Sequence, residues 1–170
     1  MITIIAGTKR GQVLPELPSG ARPVSQKVRA AIFSSLAERV VGAQVLDLYA
    51  GSGALGLEAL SRGADSAVLV DQSDRALKKN ASKFDRQTVT IIRQDVARFL
   101  AKEKLQYDLI FVDPPYAEID LDLVKQATNL LQSDGVLVLS SSKRTDLEDS
   151  FGLIQTKLYG DTKISYIQKS

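Results

Sequence analysis

The chain of 170 residues has no cysteine, no histidine and no tryptophan, one methionine, and a 6% share of aromatic residues. Without cysteine there is no disulfide and no thiolate nucleophile. Without histidine the commonest general base and metal ligand is missing. Ser-His-Asp hydrolysis, covalent thiolate catalysis and Cys/His zinc sites are therefore excluded, no metal is expected, and any chemistry must rest on positioning. Nowhere do eighteen apolar residues run together, so no membrane span is expected. Met1 leads directly into Ile2-Thr3-Ile4-Ile5, with no signal peptide ahead of it, and a cytoplasmic protein is the expectation. A chain of this length reads as a single fold that buries roughly 70% of its extended surface without staples.

The net charge is only +2, but it is unevenly spread. Residues 1–36 carry Lys9, Arg10, Arg22, Lys27 and Arg29 against the single acid Glu16, a local +4 that leaves −2 over the remainder. A basic N-terminal segment on a mildly acidic body is the footprint of a nucleic-acid contact; a solvated basic face is the alternative. Lys9, Arg10, Arg22 and Arg29 are the candidate RNA-binding residues.

From about residue 41 the pattern alternates. Apolar strands are expected at 45–48, 67–71, 89–92, 107–112 and 136–139. Between them fall helices from Ala54, from Ser73 (as its cap) to about Phe84, from Asp95 to Leu100, and from about Asp120 to Leu131. Such alternation argues for βαβ units and a mostly parallel sheet. The end differs: strands at 153–159 and 163–168 are separated only by Gly160-Asp161-Thr162, which is a hairpin and too short for a parallel crossover. Residues 1–40 form an extension: strands Ile2–Ile5 and Gln12–Leu14 flank a turn bearing Lys9 and Arg10, a Pro-rich loop follows, and a helix runs from Ser25 to about Val40. The division expected is 1–40, a basic hairpin and helix that contacts RNA, and 41–170, the catalytic domain.

Two motifs carry chemistry. The strand Leu109–Val112 ends in Asp113-Pro114-Pro115-Tyr116. Proline cannot donate a ladder hydrogen bond, so the pair stops the strand and stiffens a lip that presents a carboxylate, free carbonyls and a ring. Such a lip suits a planar amine; a plain Pro-Pro turn is the alternative. Upstream, Val45–Leu48 runs into Tyr49-Ala50-Gly51-Ser52-Gly53-Ala54-Leu55-Gly56, a G-x-G-x-x-G match with Asp71 twenty residues past the first glycine. Asp71 ends its strand and is placed to accept from ribose hydroxyls. Asp47 decides between ligands. A carboxylate four residues before the first glycine repels a diphosphate but suits a cationic amine and a sulfonium, the charges of S-adenosylmethionine (SAM). A capping or turn role for Asp47 stays open.

Over nearly its whole length the chain resembles the bacterial 16S rRNA guanine-N2 methyltransferase family. The likeness lies in the opening Ile-Ile-Ala-Gly-Thr-Lys-Arg-Gly, in Arg22-Pro23-Val24-Ser25, in Leu46-Asp47, in 50–64, and in Phe111-Val112-Asp113-Pro114-Pro115-Tyr116. Many members carry a glutamate after the fifth strand, where this chain has Ser140-Ser141-Ser142. The resemblance implies an α/β, Rossmann-like class I SAM-dependent methyltransferase fold. Its mostly parallel seven-stranded sheet would end in an antiparallel hairpin, with the small N-terminal hairpin and helix attached. It also implies that Asp47, Gly51 and Gly53 hold the amino-acid end of SAM, Asp71 and Gln72 the ribose, and Asp95 and Val96 the adenine. Asp95 reads equally as a helix N-cap. Catalysis would fall to Asp113, Pro114, Pro115 and Tyr116, acting on 16S rRNA or the assembling 30S subunit as a monomer. The competing readings are an N6-adenine methyltransferase, a non-catalytic SAM-binding RNA module, and a nucleotide-dependent oxidoreductase, the last disfavoured by Asp47.

Overall fold

The computed structural model describes residues 1–20, 22–115, 119–147 and 151–169. Seven strands form one sheet: β3 (Gln44–Leu48), β4 (Ser66–Asp71), β5 (Val89–Arg93), β6 (Tyr107–Val112), β7 (Leu131–Ser142), β8 (Leu153–Tyr159) and β9 (Thr162–Gln168). Their spatial order is β5-β4-β3-β6-β7-β9-β8. The first five are parallel neighbours, and β9 pairs antiparallel with both β7 and β8. This is the expected mostly parallel sheet closed by a hairpin. The chain leaves β3 toward β4 and β5, then returns to the other side of β3 at β6. That reversal opens a crevice at the strands' carboxyl ends.

Helices α2 (Ala54–Ser61), α3 (Arg75–Ala81), α4 (Val96–Leu100) and α5 (Leu121–Asn129) connect the strands, with α1 (Gln26–Leu36) in the extension. Val45, Leu69, Leu109, Phe111 and Val138 point into one apolar cluster, and Leu46, Leu48, Val70, Ile110 and Leu139 into another across the sheet. Burial on both faces explains why these strands read as nearly unbroken apolar runs. No helix among the described residues is long and apolar enough to cross a membrane.

Several boundaries differ from the sequence expectation. Ser73 does not cap α3: Asp74 holds that position, and its carboxylate pairs with Lys78. The first helix stops at Leu36, where Ala37 takes φ +48° and a 3₁₀ turn covers Ala37–Val40. β7 begins at Leu131, with a register irregularity before Gly135 and Val136 that hides its first residues from the apolar pattern. The hairpin connection is two residues, since Tyr159 pairs with Thr162.

The extension is bound into the body. Ile2, Ile4, Leu14, Ile32 and Phe33 share a cluster with Leu57 and Phe111. β1 is only Ile2–Thr3, paired with β2 (Val13–Leu14); Ile4 N–H still reaches the Gln12 carbonyl at 2.9 Å, but the two N–H groups after it are taken elsewhere. Ile5 and Ala6 donate to Glu58 at 2.8 and 3.1 Å. Glu58 is fully buried in α2, and it also accepts from Arg62 Nε at 2.8 Å and faces Arg29 Nε at 3.8 Å. The hairpin then presses on the end of α2: a β-carbon at Gly7, φ +86°, would lie 1.7 Å from the Ser61 carbonyl. Only glycine fits there. Replacing Glu58 by Ala leaves Arg29 buried without its counter-ion and two N–H groups without acceptors. The expected loss is about 3–5 kcal/mol in a denaturant titration, with Glu58→Gln retaining part of it.

Candidate active site

The crevice predicted by the strand order is a cavity of about 590 Å³, well within the range of roughly 300–1,000 Å³ typical of small-molecule sites. Its floor is the turn after β3: Asp47, Tyr49, Ala50, Gly51, Ser52, Ala54 and Leu55 line it. Asp71 and Gln72 enter from the end of β4, Val96 from the start of α4, and Asp113, Pro114 and Pro115 from the end of β6. The parallel register Leu48–Val112 sets Asp113 beside the turn, with the Asp113 N–H 3.5 Å from the Leu48 carbonyl.

Asp47 sits inside β3 and is 1% exposed. Its Oδ2 accepts from the Gly56 N–H at 2.9 Å in the first turn of α2, so the turn-carboxylate role is present together with a place in the cavity wall. Gly56 permits this approach: a β-carbon there would meet Leu69 at 2.3 Å and Asp47 Oδ2 at 3.1 Å. Burial pushes the Asp47 carboxyl up to about 8, with the charges of Asp113 and Asp71 adding to the effect and the Gly56 bond opposing it. Asp71 accepts from Gly51 N at 2.9 Å and from Ser73 N at 3.0 Å, which locks the first glycine of the turn to the end of β4. Asp113 is half-buried, and desolvation raises it to about 6 against the pull of the Ser140 hydroxyl. Three carboxylates thus share one cavity, where Arg22 is the single cation among the described lining residues.

The remaining expected residues divide. Gly51 lines the cavity, whereas Gly53, φ +79°, packs against Leu57 and Leu77 and serves the turn. Asp95 does not line the cavity. It is the N-cap of α4, accepting from Arg98 N at 3.1 Å, and it takes a bond from Gln72 Nε2 at 3.3 Å. Val96 beside it does line the cavity. Tyr116 lies outside the described residues. Lys9 and Arg10 are exposed on the hairpin turn and Arg22 at the cavity. Arg29 is a correction: it is 1% exposed, facing Glu58 and bonded to the Thr3 carbonyl, so it presents no charge to RNA.

Two features escaped the sequence. Tyr49 lines the cavity at φ +59°, a left-handed conformation costing about 1–2 kcal/mol in a non-glycine residue. Nothing in its residue type signals this. The second is a wall made by the N-terminal loop: Leu17, Pro18, Ser19, Gly20, Arg22, Pro23 and Val24 all face the cavity. The loop's prolines mark irregular structure without marking what it covers.

A seven-stranded sheet in this order, with a glycine turn after β3 and an acidic lip after β6, defines the Rossmann-like class I methyltransferase fold. A model of the family described as conserved hypothetical protein 95 matches residues 2–168, and the chain belongs to that family. It is 40% identical over 141 residues to the ribosomal RNA small subunit methyltransferase D of Escherichia coli K12, covering 80% of this chain and 69% of that protein. It is 32% identical to the putative rRNA methyltransferase YlbH of Bacillus subtilis, over 98% of both chains. The solved structure of the putative methyltransferase yhhF from E. coli superposes with a TM-score of 0.82 at 32% identity, covering 99% of this chain and 98% of that one.

The raised Asp47 carboxyl carries a stability signature. Its proton is held more tightly in the folded state than in the unfolded chain, so its contribution is present at low pH and is lost as pH rises from the ordinary value near 3.8 through about 8. The ligand-free protein is expected to lose several degrees of melting temperature across that window. Asp47→Asn, which keeps an oxygen for Gly56, flattens the profile, and thermal scans against pH measure the difference.

Proposed function

We propose that the chain is a SAM-dependent rRNA methyltransferase that transfers a methyl group to the exocyclic N2 amine of a guanine in 16S rRNA. The observation that carries this reading is the acidic cavity itself. Three carboxylates around a glycine turn repel a diphosphate and suit a ligand that brings an ammonium and a sulfonium. The naming of a 40%-identical relative as a ribosomal RNA small subunit methyltransferase supports the RNA substrate.

The residues fit the cofactor. Gly51 lines the cavity at φ +57°, where a β-carbon would come no nearer than 3.8 Å to Pro18. Asp47 and the turn would hold the ammonium end, Asp71 and Gln72 the ribose, and Val96 the adenine face. Bound SAM supplies an electrophilic methyl on a sulfonium. On the other side, Asp113 and the Pro114 carbonyl accept the two N–H groups of a guanine amine, drawing its lone pair out of ring conjugation. Tyr116, next in sequence after the lip, supplies a ring on which an unstacked base rests. Holding the amine in line contributes roughly 7–11 kcal/mol, so no strong base is needed. Asp113, with its carboxyl near 6, takes up the proton that the alkylated nitrogen sheds. Lys9, Arg10 and Arg22 contact phosphate, and an rRNA target places the enzyme in the cytoplasm. The same lip would also serve N6 of adenine; the residues named by the resemblance, Arg22-Pro23-Val24-Ser25 among them, favour guanine.

The deciding assay is methyl transfer from labelled SAM to 30S particles and to naked 16S rRNA from cells lacking the protein. Label in N2-methylguanosine is expected; label in N6-methyladenosine would overturn the substrate. Asp113→Ala is expected to reduce turnover at least about 100-fold while SAM binding persists. In the wild type kcat/KM should fall as pH drops below about 6, where Asp113 gains a proton and ceases to accept from the amine. Arg10→Glu is expected to weaken RNA binding, with a shallower salt dependence.

A further inference from the structure

The loop between β2 and α1 walls the cavity without regular structure of its own, so its backbone must be held from outside. The holder is Asn80, in the last turn of α3 and 1% exposed. Its Oδ1 accepts from Glu16 N at 3.1 Å, and its Nδ2 donates to the carbonyls of Glu16 at 2.9 Å and Ser52 at 2.8 Å. Every partner is a backbone group. Ser52 lies between the two glycines of the turn. Pro18, two residues beyond Glu16, covers Gly51, whose β-carbon position is 3.8 Å from Pro18 Cγ. One buried amide is thus bonded at once to the loop and to the floor.

We infer that Asn80 is a positioning residue that clips the loop of residues 15–20 onto the glycine turn and thereby sets the affinity for SAM, without touching the reacting atoms. The inference rests on the cofactor reading proposed above. The chemistry at position 80 is demanding, because one acceptor and two donors are needed in a single short side chain. Aspartate keeps the acceptor but sets a charge against two carbonyls. Alanine leaves all three backbone groups unpaired in a buried place. The neighbouring ion pair of Lys79 with Glu16 is not the clip: its Lys79 side chain is 62% exposed, and such pairs contribute little.

The test compares wild type, Asn80→Asp, Asn80→Ala and Lys79→Ala for SAM affinity by direct titration, for KM and kcat in the RNA assay, and for melting temperature. Both Asn80 variants are expected to raise the SAM Kd and KM about tenfold or more, with kcat at saturating SAM within about twofold of wild type. Lys79→Ala is expected to leave all three unchanged. Asn80 variants that melt earlier yet bind SAM as tightly as wild type would overturn the inference and leave Asn80 a stabilising residue only. A measurement on the wild type alone covers the case in which the variants do not fold. Saturating SAM should slow hydrogen exchange at the Glu16 amide, since ligand and clip favour the same closed wall; unchanged exchange there would also overturn it. Wild-type protein that binds no SAM would instead remove the cofactor reading, and this inference with it.

Discussion

One buried carboxylate ties the N-terminal extension to the sheet. Glu58 takes the N–H groups of Ile5 and Ala6 and the guanidinium of Arg62, with Arg29 alongside. Taking such a charge out of water costs several kcal/mol, which three hydrogen bonds and two cations offset. The same node reaches the lip by packing. The Arg62 guanidinium lies 4.8 Å from the centre of the Phe33 ring, and Phe33 meets Phe111 at 5.7 Å. Phe111 stands two residues before Asp113 on β6. The hairpin, α1, α2 and the strand that delivers Asp113 therefore form one packed body.

The cavity shows the converse arrangement, three acids gathered with Arg22 the one cation among the described lining residues. Asp47, Asp71 and Asp113 are brought together by the ends of three adjacent parallel strands. Burial raises both Asp47 and Asp113, and at Asp47 the neighbouring charges of Asp113 and Asp71 add to it. A cationic ligand meets those carboxyls with its own charge. The acidity of the cavity is thus a property of the backbone layout, with one of its side chains, Asp47, withdrawn from solvent by burial.

The sheet was legible because βαβ alternation and a short terminal connection have few topological solutions. Asp47, Gly51, Asp71 and Asp113 were legible because polar residues at the ends of apolar strands stand out against them. Legibility failed where a residue's partner lies far away in sequence. Arg29 reads as one more surface cation in a basic segment, and only the fold shows that it faces Glu58. Asp95 carries two compatible readings, and the N-cap is the one the local geometry displays. Asn80 and the loop over the glycine turn have no periodic signature at all, since their meaning lies in contacts spanning 64 residues. The onset of β7 was hidden by its own irregularity near Gly135.

The wall formed by residues 17–20 and 22–24 also bears on how this protein can be taken apart. Composition suggests a seam near residue 40, with a removable module before it. The earlier segment nevertheless lines the pocket and lends Ile4, Leu14, Ile32 and Phe33 to the main core. A chimera that exchanged the first forty residues between relatives would exchange part of the pocket with them. An inherited difference in that segment can therefore alter the pocket wall and the packing of the main core together, so the two cannot drift independently.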